Sequence, residues 1–112
     1  MPWKDILWVY CDIDWTLILT DKNWEKTVNE KVLNYLKNLG ELWKEIHIWT
    51  GWDVSEQRKI LESFWITYPV SSKYDYSWAS AEFVIDDFGS VSEFSAFTSI
   101  TPKAYINVND IK

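Results

Sequence analysis

Short apolar runs alternate along this chain with segments of helical periodicity, and that alternation restricts the fold more than any other feature. Asp5 to Cys11 (DILWVYC) is nearly continuous in apolar side chains, the pattern of a strand buried on both faces, and it leads into Asp12. Thr27-Val28-Asn29-Glu30 has the form of a capping box, and Val28, Val32, Leu36 and Leu39 then recur at helical spacing until Gly40, which predicts a first helix closed by that glycine. Glu45 to Trp49 (EIHIW) predicts a second strand. Asp53-Val54-Ser55-Glu56 then supplies an N-cap and an acid at N3 for a helix running to about Phe64. Tyr68 to Ser71 reads as a short third strand and Glu82 to Asp86 (EFVID) as a fourth. Ser90-Val91-Ser92-Glu93 opens a third helix with Val91, Phe94 and Phe97 on one stripe, and Pro102 precedes a last strand, Ala104 to Val108. Strands and helices in this rhythm require right-handed crossovers. The expected fold is α/β, a doubly wound three-layer sandwich around a mostly parallel five-stranded sheet, with residues 1–112 as one domain.

Composition removes several function classes. With 47% hydrophobic and 25% charged residues the chain is of the soluble globular kind, and no apolar run is long enough to span a bilayer. The first residues lack the layout of a signal peptide, and the single cysteine, Cys11, allows neither an internal disulfide nor a zinc cluster, so a cytoplasmic protein is expected. A net charge of −6 without a basic patch disfavours nucleic acid. Neither a Gly-x-x-x-x-Gly-Lys nor a Gly-x-Gly-x-x-Gly loop is present. His47, inside the second strand, reads as a packed residue.

In a parallel sheet, ligands bind beyond the carboxyl ends of the strands. The first strand delivers Asp12 and Asp14 there, the second Thr50, the third segment Lys73, and the fourth Asp86 and Asp87. Four carboxylates gathered on one edge repel one another unless a cation neutralises them, and a hard, oxygen-ligated Mg²⁺ suits an open site with few protein ligands.

Asp12-Ile13-Asp14-Trp15-Thr16-Leu17 resembles the first motif, Asp-x-Asp-x-Thr, of the haloacid dehalogenase-like hydrolase superfamily, placed after the first strand as in that family. Thr50-Gly51 resembles the second motif, Lys73 the third, and Val84-Ile85-Asp86-Asp87 the fourth, so the resemblance runs from Asp5 to about Asp110. It implies a Mg²⁺-dependent phosphomonoesterase working through an aspartyl-phosphate. Asp12 would be the nucleophile, and Asp14 would be the acid and then the base. Thr50, Gly51 and Lys73 would hold the phosphoryl group, and Asp12, the main-chain carbonyl of Asp14, Asp86 and Asp87 would bind the metal. Lys59 and Lys103 are rival candidates for the third motif.

No insertion of cap size separates these motifs, so the resemblance implies an open, capless site. The substrate would be a small phosphate ester, a sugar phosphate or a phosphoprotein, with a neighbouring subunit of a homo-oligomer possible as a cover. A cysteine-phosphatase reading of Cys11 fails because Leu17 stands where an arginine is needed, and a receiver-domain reading fails because the third segment ends without an acid. The competing reading is a binding or structural protein of the same fold with impaired catalysis, because Trp15 and Trp52 stand beside the expected phosphate site.

Nine tryptophans against three glycines invert normal usage, by which a chain of this length carries roughly eight glycines. Many of the tryptophans occupy turn-like contexts. Read as glycine, Trp15 completes the commonest form of the first motif and Trp65 becomes a helix stop after Phe64. The expectation is a gene in which UGA encodes glycine, translated here with tryptophan at those codons. Trp8 and Trp49, inside apolar strands, fit the rival reading of indoles that belong to the core.

Overall fold

The computed structural model describes residues 7–76 and 80–111. Its elements are β1 (Trp8–Asp12), β2 (Ile18–Thr20), β3 (Lys26–Val28), α1 (Glu30–Glu41), β4 (Glu45–Thr50), α2 (Val54–Ser63), β5 (Val70–Ser72), β6 (Ser80–Asp86), α3 (Val91–Thr98) and β7 (Thr101–Asn107). Single 3₁₀ turns follow β5 at Lys73–Tyr76 and β7 at Val108–Asp110. Asp5 and Ile6 of the expected first strand, and Trp3 and Trp78, lie outside the described residues.

Five strands form one parallel sheet in the order β5-β4-β1-β6-β7. Val9 pairs with Ile46 on one side and Phe83 on the other, and Cys11 likewise with Ile48 and Ile85. Alternation along these strands divides the interior in two. Val9, Cys11, Ile46, Ile48, Phe83 and Ile85 pack with Val32, Leu36 and Leu39 of α1 and Leu61 of α2, whereas Tyr10, Trp49 and Val84 pack with Phe94 of α3. Helices therefore cover both faces, which is why the central strands are apolar on both sides. The architecture is mixed α/β with a parallel five-stranded sheet, compatible with a Rossmann-like fold. The chain moves outward from β1 through β4 to β5, then returns to β6 on the other side of β1, so the strand order reverses between β1 and β6.

Three local expectations need correction. Residues 18–28 form an antiparallel hairpin, β2 with β3, in which Thr27 pairs with Leu19. Thr27 therefore belongs to the ladder and does not cap α1. Asn29 takes the N-cap without a side-chain bond, and its N–H donates to the Leu17 carbonyl at 2.8 Å. Gly40 does not close α1, because the helix continues through it to Glu41. The strand bounds also move by one to three residues, with Asp12 the last residue of β1. The other two caps form as expected. Asp53 accepts from the Glu56 N–H at 2.9 Å and Ser90 from the Glu93 N–H at 3.2 Å. Among the described residues, no helix is long and apolar enough to cross a membrane.

Candidate active site

Asp12 and Asp86 are the final residues of adjacent parallel strands, so the sheet itself holds their carboxylates side by side at the point where strand order reverses. Both are buried, Asp86 completely. The 3₁₀ turn after β5 brings Lys73 across β4 to meet them. Its Nζ lies 2.9 Å from Asp12 Oδ1 and 3.0 Å from Asp86 Oδ2. Asp87 completes the group, for one carboxylate oxygen from each of Asp12, Asp86 and Asp87 lies within 4.8 Å of the others. The Asp87 main-chain N–H donates to Asp86 Oδ1 at 2.7 Å, and the Thr16 hydroxyl donates to Asp12 Oδ2 at 3.4 Å.

Three carboxylates, those of Asp12 and Asp86 buried and that of Asp87 exposed, face one ammonium and leave an excess of negative charge, which favours the protonated acids. Burial raises the Asp12 carboxyl, although Lys73 pulls it back down. Burial and then the Asp12 charge raise Asp86. Asp87 is pushed up to about 6 by burial, its hydrogen bond with Asp86 and the charge of Asp86. Burial would lower Lys73, but the two carboxylates outweigh it and hold the ammonium protonated above its usual range. This set of three carboxylates could hold a metal ion, and all-oxygen ligation suits a hard divalent one.

Thr50 ends β4 and is buried, and its Oγ1 accepts from the Trp52 N–H at 3.0 Å, which leaves its own proton free to be donated. A cleft of about 370 Å³ is lined by Asp12, Asp14, Gly51, Lys73 and Asp87, with Trp15, Trp52, Tyr74, Phe88 and Phe97 as apolar walls. Asp14 lines the same cleft as a half-buried residue outside the carboxylate triad.

Of the expected site residues, Asp12, Asp14, Gly51, Lys73 and Asp87 line one cleft, Asp86 is buried against Lys73, and Thr50 is buried beside Gly51 without lining the cleft. Lys73 is the lysine at the acids, while Lys59 on α2 and Lys103 on β7 are exposed. Cys11 points into the core on the α1 side, with burial raising its thiol, and takes no part. His47 is packed as expected, stacked on Trp8 at 4.7 Å between ring centroids.

The chain matches no family model, no curated protein and no solved structure. The site therefore rests on its own geometry.

The reading from sequence placed Trp15 and Trp52 beside the site but missed Tyr74, Phe88 and Phe97, and it gave Thr16 only as part of the first motif, with no role at the site. Thr16 is legible in hindsight, since a hydroxyl four residues after Asp12 can return to it across the tight turn in which the Ile18 N–H donates to the Ile13 carbonyl at 2.8 Å. Phe88 has no sequence signal. Its carbonyl is fixed by Tyr105 Oη at 2.6 Å and Asn107 Nδ2 at 2.7 Å, both from the neighbouring strand β7, and only the folded sheet brings these together.

Proposed function

We propose that this protein is a Mg²⁺-dependent phosphomonoesterase of the haloacid dehalogenase-like kind, with a doubly wound, capless fold and an aspartyl-phosphate intermediate. The observation that carries the reading is the Lys73 ammonium held between Asp12 and Asp86 at the reversal of strand order, with Asp87 beside them. A phosphoryl group needs a nucleophile in line, cations around its equatorial oxygens and a proton donor for the leaving group. This cleft supplies one residue for each task.

Asp12 attacks phosphorus through a carboxylate oxygen, forming a new P–O bond as the ester oxygen departs. Asp14 gives its proton to that oxygen and then takes one from the water that cleaves the acyl phosphate, one group serving as acid and base. Lys73 and the Thr50 hydroxyl hold the transferring oxygens, and the Gly51 backbone leaves room for them. Asp12, Asp86 and Asp87, with the Asp14 carbonyl, would hold Mg²⁺, which when bound neutralises charge on the phosphoryl oxygens. An open cleft suits a small phosphate ester, a sugar phosphate or a phosphoprotein.

The second reading, a fold retained without turnover, is favoured by one observation. Trp15 and Trp52 stand in the cleft mouth, 58% and 71% exposed, where a bulky indole obstructs substrate. Phosphate release from a panel of phosphomonoesters, with and without Mg²⁺, separates the two readings. Release that needs both Mg²⁺ and Asp12 supports the enzyme, and none from any ester supports the second.

A further inference from the structure

Four of the described tryptophans have left-handed backbone conformations: Trp15 (φ 62°), Trp24 (φ 64°), Trp43 (φ 64°) and Trp65 (φ 63°). For a bulky L-residue this region is a genuine outlier, whereas glycine enters it freely. Among the described residues the only other one there is Ser99, and none of the three glycines has positive φ. Even Asn and Asp, the usual non-glycine occupants, are missing from it among the described residues. A Cβ added at Gly40 would meet nothing within 4 Å, one at Gly51 only the Tyr74 hydroxyl at 3.7 Å, and one at Gly89 the end of the flexible Glu93 side chain at 3.2 Å.

The hydrogen bonds show what each of the four positions is. Trp43 and Trp65 both sit at the C′ position of a Schellman motif. After α1, the Trp43 N–H donates to Gly40 O at 3.0 Å and the Lys44 N–H to Leu39 O at 3.1 Å. After α2, the Trp65 N–H donates to Glu62 O at 2.9 Å and the Ile66 N–H to Leu61 O at 3.0 Å. That motif asks for glycine at C′. Trp24 closes the β2–β3 hairpin, its N–H donating to Asp21 O at 3.0 Å while the Asp21 N–H donates to Glu25 O at 2.9 Å, a turn followed by the left-handed residue that glycine normally supplies. Trp15 lies in the turn after β1, three residues from the nucleophile position.

The indoles at these positions are not compensated by packing. They are 58%, 85%, 88% and 92% exposed at positions 15, 24, 43 and 65. They do not all lie on one face either. Trp43 and Trp65 follow helices at the edge where β4 and β5 begin, opposite the cleft that holds Trp15. Trp49 and Trp8 differ. Trp49 is fully buried against Tyr10 and Phe94, and Trp8 stacks on His47, both on extended strands. Trp52 has an ordinary φ and carries no backbone signature.

We infer that the functional protein has glycine at positions 15, 24, 43 and 65, and that tryptophan stands there because UGA codons that mean glycine in the source gene are read as tryptophan in this chain. The selectivity is the argument. Independent mutations of glycine scatter over many residue types, whereas one difference in one codon converts a subset of glycines into one residue and leaves the remaining glycines, encoded otherwise, untouched. The backbone still follows the glycine pattern because its hydrogen bonds and buried neighbours, Leu61 and Ile66 among them, fix it. This inference is independent of the phosphatase reading, since neither of its tests uses turnover.

The first test is the source gene, where UGA is expected at the four positions and UGG at Trp49. UGG at the four positions overturns the inference. The second is thermal melting of the parent chain, a variant with Trp15, Trp24, Trp43 and Trp65 all changed to Gly, and one with all four changed to Ala. Alanine removes the exposed indoles but keeps the Cβ that opposes positive φ. The glycine set is expected to melt highest, on the order of 10 °C above the parent. An alanine set that melts as high as the glycine set, or a glycine set no more stable than the parent, overturns the inference. Trp49→Gly, which empties a core site, is expected to lower the midpoint and serves as the control.

Discussion

Asp12 and Asp86 end neighbouring parallel strands, and the Lys73 ammonium bridges them, 2.9 Å from one carboxylate and 3.0 Å from the other. The bridge explains how two acids can be buried together, and it also shows what they lack. With Asp87 present, one cation faces three carboxylates, so the site is under-neutralised until a second cation or protons arrive.

Replacing Asp12 by Asn keeps the shape and removes the proposed nucleophile. Phosphate release is expected to fall by roughly three orders of magnitude or more. Asp14→Asn is expected to fall less with substrates whose leaving groups need no proton, such as p-nitrophenol, than with alkyl phosphates. Initial rates on the two ester classes check this, and equal losses on both would remove Asp14 from its acid role.

Mg²⁺ is expected to stabilise the fold. At ten times its dissociation constant a ligand specific to the folded state contributes about 1.4 kcal/mol, which raises the melting midpoint of a domain of this size by several degrees. Asp86→Ala is expected to abolish the response, and so is Asp87→Asn in large part. A melting series in Mg²⁺ against EDTA measures it, and an unchanged midpoint at millimolar Mg²⁺ would count against the metal site.

The pH response has a defined sign. Asp12, Asp86 and Asp87 all have raised folded-state values, Asp87 at about 6, so the folded protein holds protons that the unfolded chain has released. Stability of the metal-free protein is therefore expected to fall as pH rises from the ordinary carboxylate range, about 4, through 6. Mg²⁺ competes with those protons, so its stabilising effect is expected to grow over the same window. Melting at pH 5, 6 and 7 with and without Mg²⁺ tests both slopes, and Asp87→Asn is expected to remove the part centred near 6.

The sheet edge of this chain was legible where strands are long and apolar, because a run such as Val9 to Cys11 or Phe83 to Ile85 declares where it ends and so which residues stand there. The hairpin was not legible. Ile18–Thr20 and Lys26–Val28 are three residues each, too short for alternation to show, and Thr27-Val28-Asn29-Glu30 fits a capping box that the Leu19 pairing pre-empts. The end of α1 was misplaced for a related reason. Gly40 looked like the stop, but the stop is a left-handed residue at C′, and that position holds Trp43. The Trp15 and Trp65 anomalies were visible as odd residues in familiar contexts, while their backbone conformation could only come from the fold.

Lys73 offers the sharpest separation of structure from chemistry. Lys73→Met keeps an unbranched side chain one atom shorter and removes the charge between two acids whose side chains are 10% and 0% exposed. Breaking a buried pair in this way typically costs 3–5 kcal/mol, because an uncompensated charge stays behind. Here the cost is expected near pH 7 without metal and to shrink toward pH 5, since the carboxylates can take up protons in place of the lost ammonium and their folded-state values rise further. Mg²⁺ is expected to restore much of the stability by returning a cation to the site, yet not the turnover, because the phosphoryl oxygens lose the donor that Lys73 supplies. Lys59→Met and Lys103→Met, at exposed positions away from the acids, are expected to change neither. Melting and phosphate release measured together on the three variants decide the matter. Full activity in Lys73→Met with Mg²⁺ would assign this lysine a purely structural role.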